Sequence, residues 1–92
     1  MQFWIRFRTG FRDAHYLVEY IEVNKREEQF KVIARNGSVT FSSNRPLFRN
    51  KGLRKRRPDY VLIEGSIPNK STERQLVEAI QGYVEKNWEL LY

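Results

Sequence analysis

Apolar and polar residues alternate from the first positions of the chain. Phe3, Ile5 and Phe7 fall on one side of residues 2–8, and Trp4, Arg6 and Arg8 on the other. A period of two marks a half-buried strand. Thr9-Gly10-Phe11-Arg12-Asp13 reads as a turn. Residues 15–23, His-Tyr-Leu-Val-Glu-Tyr-Ile-Glu-Val, are rich in Tyr, Val and Ile, which favours a strand. The rival is a helix capped by Asp13 that turns Leu17, Val18 and Ile21 inward.

After a polar turn, Asn24 to Glu28, residues 29–35 and 38–43 flank Asn36-Gly37. Asn-Gly suits a type I′ hairpin turn, whose two central residues both need positive φ. That turn pairs Arg35 with Ser38, Ala34 with Val39, Ile33 with Thr40 and Val32 with Phe41. Ala34, Val39, Val32 and Phe41 then share one face, and Lys31, Arg35, Thr40 and Ser42 the other. Ile33 is the exception on the polar side.

Residues 44–59 form a long connection with Pro46 and Pro58 near its ends. Leu47, Phe48 and Leu53 can pin it to the body. Tyr60-Val-Leu-Ile-Glu-Gly65 is an apolar run that predicts a short central strand. Ser66 to Lys70 is a turn, and a helix follows over about residues 72–90. Thr72-Glu-Arg-Gln75 fits a capping box. Leu76, Val77, Ile80, Tyr83, Val84, Trp88 and Leu91 fall on one side, with Glu78, Glu85 and Glu89 opposite. Gly82 lies on the outer side, at about 1 kcal/mol relative to Ala. Asn87 interrupts the apolar stripe and needs an inward hydrogen bond.

An antiparallel sheet with one apolar face needs a cover. The helix stripe is the only candidate. The expected fold is therefore α+β: a curved antiparallel sheet of about five strands, β-β-β-β-loop-β, covered by one C-terminal amphipathic helix.

Composition supports a packed core. The chain has 92 residues, 40% hydrophobic, with six Phe, five Tyr and two Trp. Disordered basic tails lack such aromatics. This length is one domain, 1–92, that buries roughly 60–65% of its unfolded surface. There is no cysteine, which excludes disulfides, thiolate metal sites and a cysteine nucleophile and suits a reducing, cytoplasmic setting. The N-terminus lacks the apolar run of a signal peptide. No uncharged apolar run approaches the ~20 residues of a membrane span.

Catalytic patterns fail one by one. His15 is the single histidine, so a multi-histidine metal site is impossible. A Ser-His-Asp triad would have to use it, and no nucleophile elbow accompanies it. Pro58-Asp59 ahead of a strand resembles the first half of the PD-(D/E)xK pattern of restriction-type nucleases. The second half is missing: Glu64 is followed by Gly65 and Ser66, and no later Glu-x-Lys appears. Half a metal site cannot do that chemistry. Neither phosphate-cradling glycine motif is present. We expect no enzyme, no metal and no cofactor.

One charge feature stands out. Arg45 to Arg57 holds seven cations, Arg45, Arg49, Lys51, Arg54, Lys55, Arg56 and Arg57, and no carboxylate. The chain has 17 Lys and Arg and 11 Asp and Glu, so ten cations face 11 acids outside this segment. The net charge of +6 is thus local, which points to a polyanionic partner. Nucleic acid fits: Lys and Arg displace condensed counterions, and Arg grips phosphate bidentately. Phe48 can stack on an unpaired base, as can Trp4 beside Arg6 and Arg8. Arg12, Lys31 and Arg35 are supporting cations. The alternatives are an anionic membrane, at ~1 kcal/mol per cation near the surface, and an acidic protein in an assembly. Element order alone is similar to the pleckstrin-homology superfold, which has seven strands before its helix. The RNA-recognition, zinc-finger and helix-turn-helix patterns are absent.

Overall fold

A computed structural model describes residues 1–9, 12–35, 37–50, 59–67 and 69–91, without the side chains of 7–9, 12, 48–50 and 88–91. Among the described residues, five strands and two helices follow in the order β1 (Gln2–Thr9), β2 (Arg12–Glu22), β3 (Glu28–Ala34), β4 (Gly37–Ser43), α1 (Arg45–Asn50), β5 (Tyr60–Glu64) and α2 (Lys70–Leu91). The strands form one open antiparallel sheet in sequence order, β1-β2-β3-β4-β5. This is the α+β arrangement expected.

Residues 15–22 settle as strand, not helix, and Val23 lies just past its end. β2 pairs on both sides, Val18 standing opposite Phe3 on β1 and Val32 on β3. The β1–β2 turn is shorter than expected, because Thr9 already pairs with Arg12. The β2–β3 connection is built on Asn24. Its Oδ1 accepts from the backbone N–H of Arg26 (2.7 Å) and Glu27 (2.9 Å).

The β3–β4 register differs from the Asn-Gly reading by two residues. Ala34 pairs with Gly37, Val32 with Val39 and Phe30 with Phe41. The intervening residues are therefore 35 and 36, of which Asn36 lies outside the described residues. A slip of two leaves every side chain on its own face, so the hydrophobic pattern alone could not choose. The adopted register sets Phe30 directly across from Phe41, both fully buried. Gly37 takes the turn exit at φ 147°, a conformation that suits glycine.

The apolar run at 60–64 is an edge strand, not a central one. Tyr60 and Leu62 pack on the core, whereas Val61 and Ile63 are 56% and 50% exposed. The run is apolar because its outer side is apolar too, not because both sides are covered. β5 carries one extra residue at Ile63, since Leu62 pairs with Phe41 and Glu64 with Thr40. Gly65 then turns at φ 88° against β4. A Cβ there would sit 2.7 Å from the Ser38 carbonyl oxygen and 2.8 Å from Val39 Cγ1.

Phe3, Ile5, Val18, Phe30, Val32 and Phe41 of the sheet meet Leu76, Ile80 and Val84 of α2 in one buried cluster. Tyr83 stacks flat on Phe3, ring centres 3.9 Å apart, and joins α2 to β1. Glu78 and Glu85 are exposed on the helix. The expected capping box at Thr72 is superseded by Asn69. Its Oδ1 accepts from the Ser71 N–H at 2.8 Å and its carbonyl from the Glu73 N–H at 3.1 Å. Asn is at least as good a cap as Thr, and starting there lets the helix begin at Lys70. Asn87 meets the need set by its place in the stripe. Its Nδ2 donates to the Tyr83 carbonyl at 3.0 Å, and the backbone leaves helical geometry there (φ −125°, ψ 22°). The side chains of Trp88 and Leu91 lie outside the described residues.

A Cβ on Gly82 would meet nothing within 4 Å. Gly82→Ala should therefore stabilise the chain by roughly 0.5–1 kcal/mol. Chemical denaturation would show a higher midpoint with an unchanged slope.

Candidate nucleic-acid interface

The basic segment starts as a helix rather than a loop. Its first six residues are α1, which Pro46 suits by its fixed φ in a first turn. Lys51, Arg54, Lys55, Arg56 and Arg57, with Leu53, lie outside the described residues. So do the side chains of Phe48 and Arg49. What is defined is how the segment is tied to the sheet.

Its ends are clasped together. Asn44 donates from its backbone N–H to the Asp59 carbonyl at 3.4 Å and from Nδ2 to Asp59 Oδ2 at 3.2 Å. Asp59 returns its backbone N–H to Asn44 Oδ1 at 2.7 Å. The next residues in, Ser43 and Tyr60, are ladder partners. Asp59, which began the nuclease-like Pro-Asp pair, is thus engaged in closing the connection.

Arg45, one of the candidate nucleic-acid-binding residues, is engaged within the chain. Its Nε and Nη2 both donate to the Glu28 carboxylate, the second at 2.7 Å. The Arg45 side chain is 13% exposed and that of Glu28 0%. A carboxylate removed from water needs a paired, hydrogen-bonded cation, and a forked guanidinium meets both oxygens at once. Tyr20 donates its hydroxyl to the same carboxylate. Burial, first, and then the negative charge of Glu28 push the Tyr20 hydroxyl well above the ordinary phenol range. It stays a neutral donor. Glu28, Tyr20 and Arg45 thus fix the first turn of α1 onto β2 and β3.

The candidate cations carried by the first three strands and the end of β3 lie away from this base. In the ladders, Glu22, Glu28 and Ser43 form the row where the segment leaves the sheet, whereas Arg6 pairs with His15, seven positions further along β2. At about 3.3 Å per residue, that is roughly 23 Å. Arg8 and Arg12 lie further still, opposite Asp13 and Thr9; their side chains are outside the described residues. Arg35 follows the end of β3 on the same side as Arg6. Lys31, opposite Glu19 and Thr40, is mid-sheet. Arg6 is bound to Asp13 at 2.9 Å, with both groups partly in solvent. Such a pair is weak and readily exchanged.

The sheet face turned away from the buried cluster has its own character. Trp4 is 64% exposed and shares a ladder row with Leu17 and Ile33. Ile33, the apparent misfit on the polar side of β3, completes an apolar row across three strands. Among the described residues no group of three His, Asp or Glu is placed to hold a metal ion. No helix of the described residues is long and apolar enough to cross a membrane. The chain matches no family model, no curated protein and no solved structure.

Proposed function

We propose that this chain is a non-enzymatic domain that binds a polyanion, nucleic acid foremost, through residues 45–57. The observation that carries the reading is the concentration of seven cations without a carboxylate in one thirteen-residue segment. The segment's attachment supports it. The Asn44–Asp59 clasp and the Arg45–Glu28 pair hold the two ends and the first turn. Ordering the base in advance lowers the entropy lost when a ligand binds. Arg45 is spent on that anchoring. Arg49, Lys51, Arg54, Lys55, Arg56 and Arg57 are the phosphate contacts, and Phe48, within the same run, stacks on an unpaired base. Phosphate contacts position a ligand without reading its sequence.

The test is an oligonucleotide titration at two salt concentrations. Micromolar affinity should fall steeply with salt, with a log–log slope of roughly 0.7–0.9 per phosphate neutralised. Reversing Arg54, Lys55, Arg56 and Arg57 to Glu should abolish binding and leave the melting transition in place. Binding that ignores salt, or survives the reversal, would refute the proposal. Sedimentation with anionic vesicles and no oligonucleotide affinity would move the partner to a membrane.

A further inference from the structure

We infer that the nucleic acid is an unpaired strand whose bases lie on the open sheet face, with Trp4 as the stacking platform. This rests on the nucleic-acid reading above and adds the class of substrate.

The argument begins with where charge is and is not. On this face Lys31 stands opposite Glu19, and Arg6 is held by Asp13. These two pairs cancel and leave Arg35 as the cation beside the apolar row, so the face offers a duplex little compared with the seven-cation segment, because a duplex presents phosphates outward. It offers a base considerably more. Trp4 is an indole at 64% exposure on an edge strand. Leu17 and Ile33 extend the apolar row inward across strands about 4.8 Å apart, a strip roughly 10 Å wide. Every base has a π-face, so such a strip accepts unpaired bases without regard to sequence. Arg6, two residues beyond Trp4 on β1, and Arg35, two residues beyond Ile33 and just past the end of β3, are both exposed. They place positive charge where the phosphates flanking a stacked base would run. The Arg6–Asp13 pair is open enough to exchange its carboxylate for a phosphate.

The sheet and the basic segment then divide the work. The segment supplies long-range attraction; the face distinguishes an open strand from a paired one. Trp4 lies five ladder rows from the Glu28 row and three strands from β4, or roughly 20 Å from the segment's base by strand spacing. A site of several nucleotides covers such a span.

The experiment compares a single-stranded oligonucleotide with the blunt duplex of the same length, on the full chain and on Trp4→Ala. Because the indole is mostly in solvent, Trp4→Ala should melt like the parent chain. It should bind the single strand roughly 5- to 150-fold more weakly, the span of one base–aromatic stack, and the duplex unchanged. In a Trp88→Phe background, the single strand should quench the remaining tryptophan emission and the duplex should not. Equal affinity of parent and Trp4→Ala for the single strand overturns this inference and leaves the basic segment as the binding site. Equal loss for both forms overturns it as well. So does light scattering that shows a dimer dissociated by Trp4→Ala, since the face would then belong to a second copy. A parent chain that binds neither form ends the nucleic-acid reading itself.

Discussion

Arg45→Met should destabilise the chain by about 3–5 kcal/mol, the usual cost of removing one partner from a buried ion pair. Beneath Arg45 the Glu28 side chain has 0% exposure, so the substitution leaves a buried carboxylate without its cation. For a domain of this size that is a fall in melting temperature on the order of 15 °C or more. The partner change separates the causes. Glu28→Gln in the same chain removes the stranded charge while keeping an acceptor for Tyr20, so the double variant should recover a large part of the loss. Thermal melts of the three variants decide it. A cost of 1 kcal/mol or less for Arg45→Met would mean that the pair is solvated. Weaker oligonucleotide binding without any change in melting would return Arg45 to the phosphate contacts.

Phe30→Ala should cost about as much, roughly 3–5 kcal/mol, and its effect should reach the basic segment. Phe30 is fully buried and meets three rings: Phe3 at 6.3 Å, Tyr20 at 5.4 Å and Tyr60 at 5.9 Å between centres. Tyr20 is the ring that holds Glu28, and Tyr60 is the residue at which the chain re-enters the sheet. A cavity there loosens both attachments together. Hydrogen exchange should show faster exchange at the backbone amides of Arg45 and Asp59 as well as in the core strands. Loss of protection in the core alone, with both amides unchanged, would show that the segment's base is anchored independently. With total stability of about 5–15 kcal/mol expected for a domain, Phe30→Leu is the milder substitution for the same comparison.

These residues also show where the sequence is transparent and where it is not. The strands were legible because an alternating pattern states a face: Phe3 and Ile5 inward, Trp4 and Arg6 outward. Register was not, since a shift by two conserves every face. In the sequence Glu28 looks like the end of a polar turn, yet it is among the most buried residues. A signal was present. Counting back by two from Val32 and Phe30 reaches Glu28, on the inward face, and an inward carboxylate requires a cation. The partner lies 17 residues away in Arg45, inside a run of charge where one structural arginine is indistinguishable from the six other cations. The edge position of β5 was hidden for a related reason. Local apolarity reports that a residue avoids water, not which strand will shield it.

The clasp between Asn44 and Asp59 has an evolutionary corollary. Because departure and return occur at adjoining points, the chain between them is topologically an insertion into a β4–β5 hairpin. Lengthening a loop between fixed ends costs closure entropy only slowly, about 0.6 kcal/mol per doubling. Lineages can therefore lengthen, shorten or recharge this appendage while the scaffold's hydrogen-bonded framework stays the same. Ligand preference is then free to drift faster than architecture.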